Sequence, residues 1–162
     1  EGLGEGGGLG EGGGCFVAET LVETEAGAVP IERIKPGDHL HFCSTAVPNE
    51  KWVGKAEGIS GLLRQELVIL QFRSGSLTCT PHQRFRSRGR WVRALDLRTG
   101  DKVLKRDGSH DELLRVEHEK RETPVYSIAT RGVHAYYVRP GQGPQSRDDP
   151  SNTSTIDKPT TK

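Results

Sequence analysis

At 162 residues, with 23 basic against 22 acidic side chains and a net charge of +1, the chain suits one domain and lacks the charge excess of a general polyanion-binding protein. No apolar run approaches the ~20 residues that span a bilayer. No signal peptide is visible, and a chain without Met is expected to be a segment of something longer.

Residues 1–14 comprise nine Gly, three Glu and two Leu. Nothing there can form a core, so 1–14 is read as a flexible leader. From about Gly141 onward Pro, Gln, Ser, Asp, Asn and Thr dominate, and 140–162 is expected to be a disordered polar tail. The foldable part is 15–139, about 125 residues, which lies within the usual domain range.

That part reads as β throughout. Leu21 to Thr24 and Ala28 to Ile31 flank Gly27 as a hairpin. Glu66 to Phe72 has two apolar faces, Ser74–Gly75 forms a tight turn, and Leu77 to Thr80 returns. A helix over Gly61 to Leu70 is disfavoured by β-branched Val68–Ile69 and the immediate turn. Further strands are expected at Trp91–Val92, Lys102 to Leu104, Leu113 to Glu117, Val125 to Ala129 and His134 to Val138. The arginines at 84, 86, 88, 90 and 93 fit the solvated face of a strand pair better than a nucleic-acid patch. Trp52, Trp91 and the Tyr136–Tyr137 pair read as core.

An internal repeat has an offset of 63 residues: Val29, Ile31, Ile34, Gly37, Asp38 and Leu40 correspond to Val92, Ala94, Leu97, Gly100, Asp101 and Val103. In each copy Gly suits a positive-φ turn and the Asp carboxylate can accept backbone N–H bonds. Two related subdomains in one compact all-β fold follow.

Three cysteines, Cys15, Cys43 and Cys79, are an odd number, so a free thiol is expected. Cys15 stands where the glycine-rich leader meets ordered sequence, preceded by Gly14. Two more segments carry chemistry-bearing residues. One is Leu77 through Phe85, with Thr80-Pro81-His82-Gln83 at its centre; the other is Val125-Tyr126-Ser127 running into His134. With Cys15-Phe16-Val17-Ala18-Glu19-Thr20 and the following Pro30-Ile31-Glu32 and Gly37-Asp38, these motifs occur in an order that resembles the Hint domain. That is the self-processing module of inteins, bacterial intein-like domains, hedgehog autoprocessing domains and many polymorphic-toxin precursors. The resemblance covers about residues 15 to 138 and implies a pseudo-two-fold, intein-like fold.

It also implies a reaction. The Cys15 sulfur attacks the Gly14 carbonyl, converting the amide to a thioester that water or a small nucleophile then resolves. Thr80 would orient the scissile amide, and a histidine, His82 or His134, would protonate the departing nitrogen. A positioned general acid is typically worth ~10²–10⁴ in rate. Gly14, lacking Cβ, leaves the carbonyl open. No cofactor and no metal are needed, and the substrate is the covalently attached upstream polypeptide. A monomer is expected, without nucleic acid or a membrane span; toxin-associated relatives are exported by bacteria, so a secreted or cell-surface precursor fits.

The chain departs from the family pattern in places. The middle motif usually reads Thr-x-x-His, but Thr80 plus three is Gln83, with His82 one place early. On a strand that shift turns a side chain to the opposite face. Either a local bulge brings His82 inward, or Cys79 takes the threonine's place ahead of His82, or Gln83 fills the histidine's slot. Ser127 stands where an acid is common, and Glu19 where Gly is. Asn152-Thr153 lacks the apolar strand that leads into C-terminal cleavage, so N-terminal cleavage is expected rather than splicing. Two other readings stay open. One is a catalytically decayed Hint linker. The other is a small zinc-binding β module using His41, Cys43, Cys79 and His82.

Overall fold

A computed structural model describes residues 2–5, 14–46, 50–130 and 134–141. The remainder of the polar tail, with Asn152, lies outside the described residues.

The described residues form thirteen strands and two short 3₁₀ turns. In chain order the strands are β1 (Gly2–Glu5), β2 (Phe16–Val17), β3 (Leu21–Thr24), β4 (Gly27–Pro30), β5 (His39–Ser44), β6 (Lys51–Lys55) and β7 (Gly58–Phe72). Next come β8 (Gly75–Cys79), β9 (Arg84–Ser87), β10 (Arg90–Arg93), β11 (Lys102–Leu104), β12 (His110–Ala129) and β13 (His134–Arg139). The architecture is all-β, as the motifs implied.

β7 and β12, of 15 and 20 residues, pair antiparallel from Leu113↔Phe72 to Ala129↔Gly58. The segments Leu113 to Glu117 and Val125 to Ala129, read as separate strands, are one. The intervening residues have few apolar side chains to signal a strand, but β7 supplies main-chain partners through most of them, with a register shift between Lys120 and Thr123. Where both faces are covered β7 buries Leu67, Val68, Leu70 and Phe72, which explains why this stretch alone was legible as a filled strand.

The internal repeat is a structural repeat. Ile31–Arg33 and Ala94–Asp96 form equivalent 3₁₀ turns. Gly37 and Gly100 follow at φ of +93° and +96°. Asp38 Oδ2 accepts the Lys35 N–H at 2.8 Å, and Asp101 Oδ2 accepts the Arg98 N–H at 2.9 Å. Each Gly N–H is then received by a backbone carbonyl distant in sequence, Gly37 by that of Ala56 at 2.9 Å and Gly100 by that of Leu113 at 2.7 Å. The matching extends upstream: Thr20 O accepts the Ile31 N–H at 2.7 Å, as Gln83 O accepts the Ala94 N–H at 2.7 Å. The 63-residue offset thus equates Val17 and Thr20 with Thr80 and Gln83.

One continuous core contains Phe16, Val22, Leu40, Phe42, Leu70, Cys79, Phe85, Leu113, Ile128 and Tyr136. Cys43 and Tyr137 lie in a separate cluster, against which Trp91 packs. Trp52, read as core, is 37% exposed: among the described strands β6 stands at the end of the sheet, paired to β5. The arginine run forms the β9–β10 hairpin, with Arg86 5.5 Å from the Trp91 ring. Gly2–Glu5, read as part of an unstructured leader, forms a strand paired to β13 and β9. Its partners supply main-chain hydrogen bonds, which glycine accepts as readily as any residue. At the other end of the chain, Gly141 exchanges backbone bonds with Ser76 at 2.8 and 2.9 Å. Among the described residues no helix is long and apolar enough to cross a membrane.

Candidate active site around Cys15

β2 brings the Gly14–Cys15 junction into the body. Phe16 pairs with Cys79 of β8 and with Tyr126 of β12, and Val17 pairs with Val125. Phe16 is fully buried, its ring edge-on to Phe85 at 6.0 Å and to Tyr136 at 6.3 Å. Anchored by this ring, Cys15 is 7% exposed and packs with Leu67, Val125 and Val17.

Thr80 holds Cys15 through both of that residue's backbone polar groups. The Cys15 N–H donates to Thr80 Oγ1 at 3.0 Å, and the Thr80 N–H donates to the Cys15 carbonyl at 3.0 Å. The turn after β8 closes when the Gln83 N–H donates to Thr80 O at 3.1 Å. This turn decides the register left open by the motif. Gln83 is fully buried, while His82, one residue earlier, is exposed. Gln83 also lies directly against Gly14: a Cβ at residue 14 would stand 2.2 Å from Gln83 Cα, 2.5 Å from its Oε1 and 2.6 Å from its Cβ. The Gln83 amide N–H donates to Arg84 O at 3.0 Å. Cys15, Thr80 and Gln83 therefore meet at the Gly14–Cys15 bond, and His82 stands on the outer side of the turn. His134 opens β13, its backbone paired to Ser44; its side chain lies outside what the structure describes. Ser127 is half-buried on β12.

The electrostatics hold the sulfur in its neutral form. Burial pushes the Cys15 thiol above its ordinary value, partly offset by the Arg64 guanidinium. Cys79 is raised further, by complete burial first and then by the neighbouring Cys15. Arg64 was not singled out in the sequence; on β7, level with Thr123, it looks like one of many exposed cations. The 63-residue repeat could have placed Gln83, because it matches Thr20, the last residue of the first motif.

All three cysteines are free and buried. Cys43 and Cys79 belong to different core clusters, and among the described residues no group of three or more His, Cys, Asp or Glu side chains is placed to hold a metal ion. The four-residue zinc module is thereby overturned: its two thiols do not converge.

Comparisons with known proteins follow the same lines. The family described as the pretoxin HINT domain matches residues 21–147. The solution structure of a bacterial intein-like domain from Clostridium thermocellum is similar at a TM-score of 0.71 and 26% identity, over 77% of this chain and 92% of that one. A DnaB intein from Synechocystis sp. PCC 6803 superposes at 0.63 with 14% identity, over 76% of this chain and 98% of that one. The PabCDC21-1 intein does so at 0.61 with 17% identity, over 78% and 98%. No curated protein matches the chain.

Proposed function

The chain belongs to the pretoxin Hint domain family, and on that premise we propose that it cleaves, in cis, the peptide bond between Gly14 and Cys15. A self-processing role and a place within a larger precursor come with the family; the bond, the nucleophile and the outcome are our reading. The Cys15 sulfur attacks the Gly14 carbonyl carbon, forming a C–S bond. The C–N bond then breaks, and the thiol's proton ends on the freed Cys15 amine. Water or a thiol next displaces the sulfur, releasing the upstream polypeptide as a carboxylate or a new thioester. No cofactor enters the balance, and cleavage stops short of splicing.

The observation that carries this reading is the Cys15 N–H held on Thr80 Oγ1 at 3.0 Å, with Gly14 pressed against Gln83. Thr80 fixes the leaving nitrogen, and fixed geometry at a reacting bond lowers the entropic part of the barrier. Gln83 can donate a hydrogen bond but has no titratable proton to give. His134 remains our candidate for the proton donor, with His82 assigned to the exposed turn. Both the missing acid at residue 83 and the buried, neutral thiol point to slow cleavage. They also favour a second reading, a decayed domain that only links its flanking segments.

The test is direct. A reporter is fused upstream of Gly14, dithiothreitol is added, and the products are weighed by mass spectrometry. Release of a fragment ending at Gly14, lost in Cys15→Ala, supports cleavage. An intact precursor after prolonged incubation supports the decayed linker.

A further inference from the structure

β1 occupies a gap between two strands that do not otherwise meet. Along one edge Gly2, Leu3, Gly4 and Glu5 pair with Val138, Tyr137, Tyr136 and Ala135; along the other, Gly4 pairs with Phe85. The far side of β13 is taken by β3 and β5, and that of β9 by β10, while the near side of β9 pairs with β11 at Ser87 and with β1 at Phe85. Strands lie ~4.8 Å apart in the pairing direction, so removing β1 would leave a gap one strand wide, lined on both sides by main-chain donors and acceptors.

The walls of that gap select its occupant. Directly opposed residues on neighbouring strands share a face, so a Cβ at residue 4 would stand between Phe85 and Tyr136. Both are fully buried, and the Phe16 ring packs edge-on against both. A side chain at residue 4 would share that face with Phe16, whose neighbour is Cys15. The tetrapeptide Gly-Leu-Gly-Glu at 2–5 occurs again at 8–11.

We propose that the edges of β9 and β13 form a binding slot for an extended, glycine-bearing peptide strand, and that the chain's own leader is its ligand. The pairing adds a strand between two sheet edges, a mode in which main-chain bonds give affinity and side-chain pockets give selectivity. Its consequence, which rests on the cleavage proposed above, is retention: once the Gly14–Cys15 bond is broken, the upstream segment stays docked beside the site that released it.

Two measurements on the full chain separate the slot from the cleavage. In hydrogen exchange, the Leu3, Gly4 and Glu5 amides are expected to exchange at least about tenfold more slowly than an unstructured glycine-rich peptide. Exchange at the unstructured rate overturns the slot. Replacing Gly4→Pro and Gly10→Pro removes a donor in each copy of the tetrapeptide and should abolish the protection, while amides of the β7–β12 pair stay protected. Protection that survives in this variant overturns the strand pairing. The second measurement follows thiol-induced cleavage by non-denaturing gel filtration. The upstream fragment should co-elute with the domain in the unaltered chain and separate from it in the proline variant. Separation in the unaltered chain, or co-elution in both, overturns retention. If no cleavage occurs, the cleavage proposal fails and the exchange measurement still decides the slot.

Discussion

Replacing Gly14→Ala adds one methyl group where the structure has no room. The new Cβ would meet Gln83 Cα at 2.2 Å, against the 3.4 Å at which ordinary contact begins. Because the obstructing atom is backbone, rotation of the glutamine side chain cannot relieve it. The turn from Thr80 to Gln83 must retreat by more than an ångström, and it carries the Thr80 hydroxyl that holds the Cys15 N–H at 3.0 Å. Overpacking of this kind costs typically ~1–3 kcal/mol, which for a domain of this size lowers Tm by on the order of 5 °C. Displacing a reacting bond by ~1 Å can cost ~10² in rate, so thiol-induced release of an upstream reporter should fall about that far. Melting by circular dichroism and the time course of release by mass spectrometry give two independent readouts. An alanine variant with unchanged Tm and unchanged release would show that residue 14 is not pressed against Gln83, and the geometry argued for the scissile bond would be wrong.

Thr80→Ala strands the buried Cys15 N–H without an acceptor, a loss of ~1–3 kcal/mol; Thr80→Ser should recover most of the stability and the release rate, and a serine variant as impaired as alanine would contradict the hydroxyl's role. Gln83→His puts a titratable group against Gly14 and should accelerate release by on the order of 10²; an unchanged rate would mean that residue 83 does not serve the leaving nitrogen. Burial raises the Cys15, Cys43 and Cys79 thiols in the folded state, so their contribution is fully present below the unfolded thiol value of about 8.5. It is lost as pH rises from there toward the folded values, because the unfolded chain ionises first; a thermal melt series whose Tm stays flat above that pH would refute the burial. Glu19 sits at φ +71°, and its N–H is received by Glu32 Oε1 at 2.7 Å. Glu19→Gly keeps that main-chain bond and relieves the left-handed strain, with a net gain on the order of 0.5 kcal/mol after the added flexibility of the unfolded chain; a lower Tm would show that the glutamate side chain contributes more than its backbone costs.

The architecture was readable because its signals are local. Alternating apolar residues in 66–72 and the Gly-Asp corners at 37–38 and 100–101 each need only a few neighbours to take shape. β6 was not read as a strand. Its alternation is broken by Gly54 and by lysines at both ends, and Trp52 and Val53 on it are exposed. β1 was illegible for a deeper reason, since its order comes from the edges of other strands and its own side chains say nothing. The candidate site divides the same way. Cys15 and Thr80 were named as candidates from motif order, but whether His82 or Gln83 faces Gly14 depends on how one turn closes, and a one-residue difference in chain position is a difference of face. The exposed Trp52 shows the converse error, a large aromatic taken for core although it sits on the sheet's outermost strand.

Strand β8 also governs how the domain sits in its precursor. The polypeptide arrives at one end of it, where Cys15 bonds to Thr80, and departs at the other, where Gly141 bonds to Ser76. Four residues of strand rise separate those points, about 14 Å. The Cys15 and Gly141 backbones therefore lie almost side by side, like the two cords of a purse. A module with that geometry can be added to or dropped from a longer polypeptide while whatever precedes and follows it stays in close proximity.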